Sequence, residues 1–285
     1  TSKVTINCCV TKIDYIFNHT MLYFMKIFME ININCDLGEK SEHHSTKYDP
    51  DLLKIVNSAN IACGFHAGDE KTMKNTIEIS KKNNVSIGAH PSFNDPENFG
   101  RKRQNLPENE IKKLIIDQYE ALQRIAENLG TKVTHIKPHG ALNNMACEDL
   151  NLSKILAETI YNIDKNLIYL VPTGSKMEEA ARKFDMKIAC EIFADRNYED
   201  DGNLVSRGKE NAIIHDPEKC KKHVLEMVKN QSISCISGKK IKCEIDSICI
   251  HGDNIASLET AKQVKKVLEE NNIYLKPLNY LKKFL

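Results

Sequence analysis

The sequence predicts an α/β fold, a distorted TIM-like barrel of about seven parallel strands, and three observations support this prediction. Short apolar runs alternate with amphipathic stretches, which is the pattern of strands connected by crossover helices. The runs are apolar at both odd and even positions, as expected for strands that are buried on both faces. No glycine-rich dinucleotide fingerprint follows the first run, which disfavours the alternative of an open doubly wound sheet.

The predicted elements recur at short intervals along the chain. Strands are predicted over residues 30–39, 55–69, 85–91, 133–140, 167–173, 187–196 and 247–253. Helices are predicted over residues 70–83, 107–129, 150–161, 175–184, 217–229 and 255–271. The helix over 107–129 is the clearest, because Pro107 suits a first turn, apolar residues recur on one face, and Gly130 suits a helix end.

Residues 1–28 differ from the remainder of the chain. They show no charge pattern, no helix caps and no clear period, and their apolar run over 21–28 is too short to cross a bilayer. We expect residues 1–28 to be an N-terminal extension outside the functional domain, whose deletion leaves folding and activity intact. Residues 29–285 are expected to form a single catalytic barrel domain.

The composition argues against several classes of function. The 40 basic and 39 acidic side chains give a net charge of +1, so there is no general attraction to nucleic acid or to an anionic membrane. Tryptophan is absent and there is no basic stripe with interleaved aromatic residues. Of ten cysteines, Cys35, Cys63, Cys190 and Cys249 lie in apolar strand-like runs, which favours reduced thiols and a cytoplasmic location over disulfides.

Polar side chains with catalytic chemistry end or follow most of the predicted strands. Barrel enzymes carry catalytic groups at the C-terminal ends of several strands, so these side chains are expected to converge on one rim. The predicted catalytic residues are Asp36, His66, His90, Lys137, His139, Asp195, His251 and Asp253. The predicted substrate-binding residues are Glu191 and three arginines that suit carboxylate or phosphate groups, Arg101, Arg196 and Arg207.

Two kinds of chemistry are compatible with this rim. His66, His90 and Asp36 offer imidazole and carboxylate ligands that suit a divalent metal. The same groups can also act without a metal as acid, base and anion stabilisers. Lys137 favours the second interpretation, because a buried cation beside a metal ion is unfavourable, and no metal is predicted. His135 is expected to point away from the rim.

Several sequence blocks resemble the signature of a known family. The blocks are NCDLGE (34–39), ANIACGFHAGD (59–69), GAHPSF (88–93), FGR (99–101), KPHGALNN (137–144), EIFADRNY with DGNLVSRG (191–208) and IHGDN (250–254). They resemble those of the family of 5-oxoprolinase A subunits, also called the lactam-utilisation family. The resemblance covers nearly all of residues 29–285, and the blocks follow the order of the family.

The resemblance implies a (β/α) barrel related to sugar-deacetylase and glycosidase barrels. It also implies ATP-dependent ring opening of 5-oxoproline (pyroglutamate) to L-glutamate in the cytoplasm, with two partner subunits, B and C, that share the handling of the co-substrate ATP. In that reaction one of His66, His139 or His251 would activate water, and Asp36 or Asp253 would orient the imidazole. Lys137 would stabilise developing negative charge, and an arginine would hold the substrate carboxylate.

Two other functions stay open at the level of sequence. One is a stand-alone metal-dependent deacetylase or amidohydrolase that uses the same rim. The other is a non-catalytic subunit that binds 5-oxoproline and presents it to its partners.

Overall fold

The computed structural model describes residues 29–42, 44–251 and 255–285, and these residues form a barrel of strands surrounded by helices. The strands are β1 (Met29–Leu37), β2 (Ser58–Ala62), β3 (Ser86–His90), β4 (His135–Ile136), β5 (Ile168–Pro172), β6 (Ile188–Phe193), β7 (Ser232–Ser234), β8 (Lys240–Lys242), β9 (Ser247–His251) and β10 (Ile273–Leu275). Residues 1–28, predicted as an extension, lie outside the described residues.

The barrel closes through seven of these described strands, all parallel. The order is β1, β2, β3, β4, β5, β6 and β9, and β9 pairs back onto β1 with Asn32 opposite Ser247 and Asp36 opposite His251. Strand β10 pairs with the start of β1 outside this ring, and β7 and β8 form a separate antiparallel hairpin. The predicted distorted barrel of about seven parallel strands is confirmed.

Helices cover the outside of the barrel. They are α1 (Asp49–Leu52), α2 (Glu70–Lys82), α3 (Glu108–Asn128), α4 (Gly140–Glu148), α5 (Leu150–Ile163), α6 (Lys176–Lys183), α7 (Pro217–Asn230) and α8 (Ile255–Glu270). Side-chain caps fix several of their starts: Asp69 accepts from the Thr72 amide, and Ser175 accepts from the Glu178 amide. Such caps fix the points at which these two loops pass into helices.

Strand β4 is shorter than the predicted run over 133–140. Pro138 lacks an amide proton, so regular pairing cannot continue through it. The chain stays close to its neighbour, because the Lys137 amide donates to the Ala89 carbonyl at 3.0 Å and the His139 amide donates to the Pro91 carbonyl at 2.8 Å. Lys137 and His139 are thereby fixed at the barrel mouth.

The barrel interior holds a polar layer, and His135 belongs to it. His135 is fully buried, and its Nε2 lies 3.0 Å from Oδ1 of Asn60 on β2. His135 was expected to point away from the rim, and its side chain lies below the rim, inside the barrel. Its ring fills the space beside Gly88, where a Cβ atom would lie 2.2 Å from the imidazole.

The cysteines that were predicted as buried thiols are buried. Cys35, Cys190 and Cys249 have no exposed surface, and Cys63 is almost fully covered. All four are free thiols. Across the parts of the chain that the structure describes, no helix combines the length and the apolar character needed to cross a membrane.

Candidate active site

A cavity of about 440 Å³ opens at the C-terminal ends of the barrel strands. The predicted residues that line it are Asp36, His90, Arg101, Lys137, His139, Arg196, Arg207 and His251. His66, Glu191 and Asp195 stand directly behind this lining and contact its members. Asp253 lies outside the described residues. The side chains predicted to converge on one rim are thus brought together as far as they are described.

A buried ammonium group forms the floor of the cavity. Nζ of Lys137 lies 3.0 Å from Oδ1 of Asp36 and 3.2 Å from Oε2 of Glu191. Burial alone would lower the pKa of Lys137, but the attraction of Asp36, Cys249 and Glu191 outweighs it and holds that pKa well above its usual value. Lys137 is therefore a permanent cation within reach of a bound molecule.

The two carboxylates beside Lys137 differ in the direction of their pKa shifts. Burial opposes ionisation of Asp36, but His90 and Lys137 outweigh it and keep the pKa of Asp36 well below its usual range. Burial dominates at Glu191 and raises its pKa, although Lys137 lies close. Asp36 therefore carries the fixed negative charge that balances the lysine.

Asparagine amides align this charged group. Nδ2 of Asn60 donates to Oδ1 of Asp36 at 2.8 Å, and Nδ2 of Asn34 contacts Oε2 of Glu191 at 3.2 Å. Both asparagines are fully buried inside strands β1 and β2. The network holds the head groups of Asp36 and Lys137 in one arrangement before any ligand binds.

A histidine–aspartate pair forms a second part of the site. Nδ1 of His251 lies 2.8 Å and 3.0 Å from the two carboxylate oxygens of Asp195. Burial disfavours the imidazolium, but Asp195 outweighs it and raises the pKa of His251. Nε2 of His251 lies 3.5 Å from Nη2 of Arg207, and both residues line the cavity. This nitrogen is available to exchange a proton with a bound molecule.

Three histidines surround the carboxylate of Glu39. Oε1 of Glu39 lies 3.2 Å from Nε2 of His66, 3.2 Å from Nδ1 of His139 and 3.7 Å from Nε2 of His90. The His66 and His139 rings stack with their centroids 3.9 Å apart. Glu39 lies two residues past the end of β1. The amide of the preceding residue, Gly38, donates to the Asp49 carboxylate at 2.8 Å.

Backbone carbonyls determine which ring nitrogens face inward. Nδ1 of His90 donates to the Lys137 carbonyl at 2.7 Å, and Nε2 of His139 donates to the Phe99 carbonyl at 2.9 Å. The remaining nitrogens, Nε2 of His90 and Nδ1 of His139, lie 3.0 Å apart and face Glu39. The assignment follows from the acceptors, since a carbonyl oxygen can only accept.

The three histidines differ in charge. Burial holds the pKa values of His66 and His139 well below 6.5, so both rings are neutral near pH 7. Burial also opposes protonation of His90, but Asp36 outweighs it and raises that pKa. Of the three rings, His90 is therefore the one whose protonation its surroundings favour.

The three predicted arginines are placed differently. The buried guanidinium of Arg196 donates to the carbonyls of Val205 and Ala212 at 2.5 Å and 3.2 Å, so it holds the loop that follows β6.

Arg207 approaches His251, and the Arg101 guanidinium lies over the Phe99 ring at 5.0 Å. Arg207 and Arg101 are exposed at the cavity and can approach a ligand anion more directly than Arg196.

Sequence reasoning did not select Glu39, Asn34 or Asn60 as site residues. Asn34 and Glu39 belong to the same NCDLGE block as Asp36, which was the available signal. Asn60 lies in the middle of β2, where a polar side chain without a partner would be unfavourable, and this was a second signal. The metal set considered from the sequence was His66, His90 and Asp36. Among the residues that the structure describes, a compact group of three donors around His90 consists of Glu39, His90 and His139.

Comparisons with known proteins agree over most of the chain. The LamB/YcsF family model matches residues 31–283. The A subunit of 5-oxoprolinase from Clostridium beijerinckii is 44% identical over 250 residues, which cover 88% of this chain and 98% of that protein. Its counterpart from Campylobacter jejuni is 44% identical over 246 residues and covers 86% and 96% of the two chains. The crystal structure of a lactam utilization protein from Thermus thermophilus aligns with a TM-score of 0.81 and 31% identity, over 87% of this chain and 99% of that one.

Proposed function

Since this chain belongs to the LamB/YcsF family, we propose that it is the A subunit of a 5-oxoprolinase. It catalyses ring-opening hydrolysis of 5-oxoproline to L-glutamate, coupled to ATP and carried out with two partner subunits, B and C, in the cytoplasm. The observation that carries the catalytic part is the pairing of His251 with Asp195 at 2.8 Å, across the same cavity as the buried cation Lys137.

The coupling to ATP follows from the chemistry of the substrate. A five-membered lactam is an unactivated amide, so water attacks its carbonyl carbon slowly. Transfer of the γ-phosphoryl group of ATP to the lactam oxygen releases ADP and makes the ring carbon electrophilic. Water then adds to that carbon, the C–N bond breaks and the ring nitrogen takes up a proton, which leaves an acyl phosphate. A second water hydrolyses the acyl phosphate and releases L-glutamate and inorganic phosphate. We assign the phosphoryl transfer to the partners and the ring opening to this chain.

His251 is the proposed general base. Its Nδ1 is held by Asp195, which leaves Nε2 toward the cavity, as in catalytic histidine–carboxylate pairs. His139 is less suited, because Nε2 donates to a carbonyl and Nδ1 faces Glu39. His66 has no exposed surface and does not line the cavity.

Lys137 is the proposed electrostatic catalyst. Negative charge develops on the oxygens of the reacting carbon as water adds, and an ammonium group already fixed beside it stabilises the transition state without reorganisation. Asp36 and Glu191 fix the position of Nζ. Arg207 and Arg101 are the proposed partners of the substrate carboxylate, because both line the cavity and are exposed there.

Glutamate release from 5-oxoproline and ATP tests the proposal. The chain is assayed alone, with each of its two partners, and with both. We expect rapid release only when both partners and ATP are present. Robust release by the lone chain without ATP would support a stand-alone amidohydrolase instead. A reconstituted complex that turns over equally fast with His251→Asn would support a subunit that only presents the substrate.

A further inference from the structure

We propose that Glu39, His90 and His139 form a binding site for one divalent first-row transition-metal ion at the cavity wall. The inference goes beyond the proposed function, and it stands whether or not 5-oxoproline is the substrate. It rests on the distances between three donor atoms, on the hydrogen bonds that orient the two rings, and on the access of the group to the cavity.

The donor atoms have the spacing of metal ligands. Nδ1 of His139 is 3.0 Å from Nε2 of His90 and 3.2 Å from Oε1 of Glu39, and the third side of the triangle is 3.7 Å. Tetrahedral ligands with bonds of about 2.0–2.2 Å lie about 3.3–3.6 Å from one another. The triangle therefore accepts an ion with shifts of a few tenths of an ångström.

The two rings are already oriented for ligation. Each histidine donates its other ring proton to a backbone carbonyl, His90 to Lys137 at 2.7 Å and His139 to Phe99 at 2.9 Å. A metal-bound histidine typically uses its second nitrogen in this way, which fixes the tautomer and the ring plane. His66 adds a contact of 3.2 Å from Nε2 to Oε1 of Glu39, which orients the carboxylate from behind.

The surrounding backbone keeps these rings in place. At Gly100, with φ +65°, a Cβ atom would lie 2.9 Å from Cβ of His66 and 3.0 Å from Cδ2 of His139. At Gly140, with φ +55°, a Cβ atom would lie 2.5 Å from the Gly100 carbonyl oxygen. Gly100 lets its loop pack directly against His66 and His139, and Gly140 lets the next loop pack against Gly100, so the site is preorganised.

The ligand set and its access point to the class of ion. Two imidazoles, which bind metal in their neutral form, and one carboxylate suit zinc, cobalt, manganese or iron in the divalent state. Glu39, His90 and His139 all line the cavity, so a coordination position would face a bound molecule. The ion would hold an oxygen of that molecule there.

A neighbouring group of possible ligands does not offer the same site. Asp36, Cys249 and His251 also lie close together. Nζ of Lys137 already lies 3.0 Å from both Asp36 and Cys249, so a cation contacts two of the three residues in that group. Repulsion between this ammonium and a second cation disfavours a metal ion in that group.

Metal binding by the full-length chain, without substrate or partners, tests the inference. Purified chain is stripped with a chelator, dialysed against Zn²⁺ and analysed for bound metal, and a Co²⁺-loaded sample is examined by visible absorption. We expect one ion per chain, with a Co²⁺ spectrum typical of nitrogen and oxygen ligands. The variants Glu39→Gln and His139→Ala are expected to weaken binding by more than about 100-fold, beyond the loss that follows removal of an outer partner.

His215→Ala is the matched control, because His215 is exposed in a loop and the substitution removes one imidazole outside the proposed site. Its affinity should equal that of the wild type. Binding by Glu39→Gln and His139→Ala at wild-type affinity, or no stoichiometric ion in the wild type, would overturn the inference. Circular dichroism of each variant shows whether it is folded. If His139→Ala is unstable, Glu39→Gln still tests the site, because it keeps the size of the side chain. Glutamate release is not part of this measurement, so the inference and the proposed function can fail separately.

Discussion

Nδ1 of His251 and Oδ2 of Asp195 lie 2.8 Å apart at the ends of two neighbouring barrel strands, β9 and β6. The carboxylate fixes the proton on Nδ1 and leaves Nε2 to act on a ligand. Because the strands are adjacent and parallel, the pair is set by barrel register.

His251→Asn should lower the rate of glutamate release by the reconstituted complex by about 100- to 10,000-fold, the usual effect of removing a general base. Asp195→Asn should lower it within the same range, because an amide can present its NH₂ group to Nδ1 and favour the wrong tautomer. Steady-state kinetics on purified complexes measures both effects. His223→Gln is the control, since His223 contacts the Arg196 carbonyl and does not line the cavity. A comparable loss of rate in that variant would show that the effect is not specific to the pair of His251 and Asp195.

The acid side of the pH–rate profile should report His251. A general base must be neutral, and Asp195 raises the pKa of His251 above 6.5, so kcat/KM should fall as the pH drops through that raised value. Asp195→Asn removes the charge that raises the pKa, so the acid limb should move to lower pH. A limb that stays in place in Asp195→Asn would show that another group controls it.

Lys137→Met should reduce stability as well as activity. It leaves Asp36 and Glu191 buried without their cation, and loss of one partner of a buried ion pair typically lowers the free energy of unfolding by about 3–5 kcal/mol. Burial already raises the pKa of Glu191 and Lys137 opposes that rise, so the variant raises this pKa further, and stability should be lost as the pH increases through the raised value. Urea unfolding at about pH 5 and about pH 8 measures this.

The control for Lys137→Met is Lys209→Met, which removes an exposed lysine paired with Glu199. Exposed pairs contribute little, so its unfolding curve should be almost that of the wild type. Equal stability of Lys137→Met and Lys209→Met would contradict the role of the buried ammonium group.

Gly100→Ala should be far more harmful than Gly174→Ala. Both glycines have positive φ, +65° and +74°, so an alanine at either position carries a backbone cost of about 1–2 kcal/mol. Only at Gly100 would the new Cβ atom also collide, at 2.2 Å from Oγ of Ser92, which adds about 1–3 kcal/mol of overpacking. Thermal or urea unfolding compares the two; equal losses would show that the loop around Gly100 can move aside.

The strand rhythm predicted the fold and much of the site. Parallel strands bring their C-terminal ends to one edge, so Asp36, His90 and His251 could be placed together from their positions after apolar runs. Resemblance alone supplied the substrate. The hairpin of β7 and β8 and strand β10 were not predicted, since three-residue strands carry too little alternation to be distinguished from loops.

The parts of the site that sequence reasoning missed depend on three-dimensional contacts. Glu39 lies in a loop past β1, and its importance comes from three histidines that belong to other segments. Arg196 has the charge expected of a substrate ligand, but its guanidinium group is turned toward loop carbonyls. Residue type and spacing predict neither the contacts of Glu39 nor the direction of the Arg196 side chain, because both depend on how the loops pack.

The central claim is that this rim performs ring opening within a 5-oxoprolinase, and Asp36→Asn tests it most directly. Asp36 fixes Lys137 through a contact of 3.0 Å and faces the cavity, and the substitution keeps its size while removing its charge. The measurement is glutamate release from 5-oxoproline and ATP by the complex rebuilt with this variant. We expect a folded chain that assembles with its partners and releases glutamate at least about 100-fold more slowly than the wild type. Release at a near-normal rate would contradict the account.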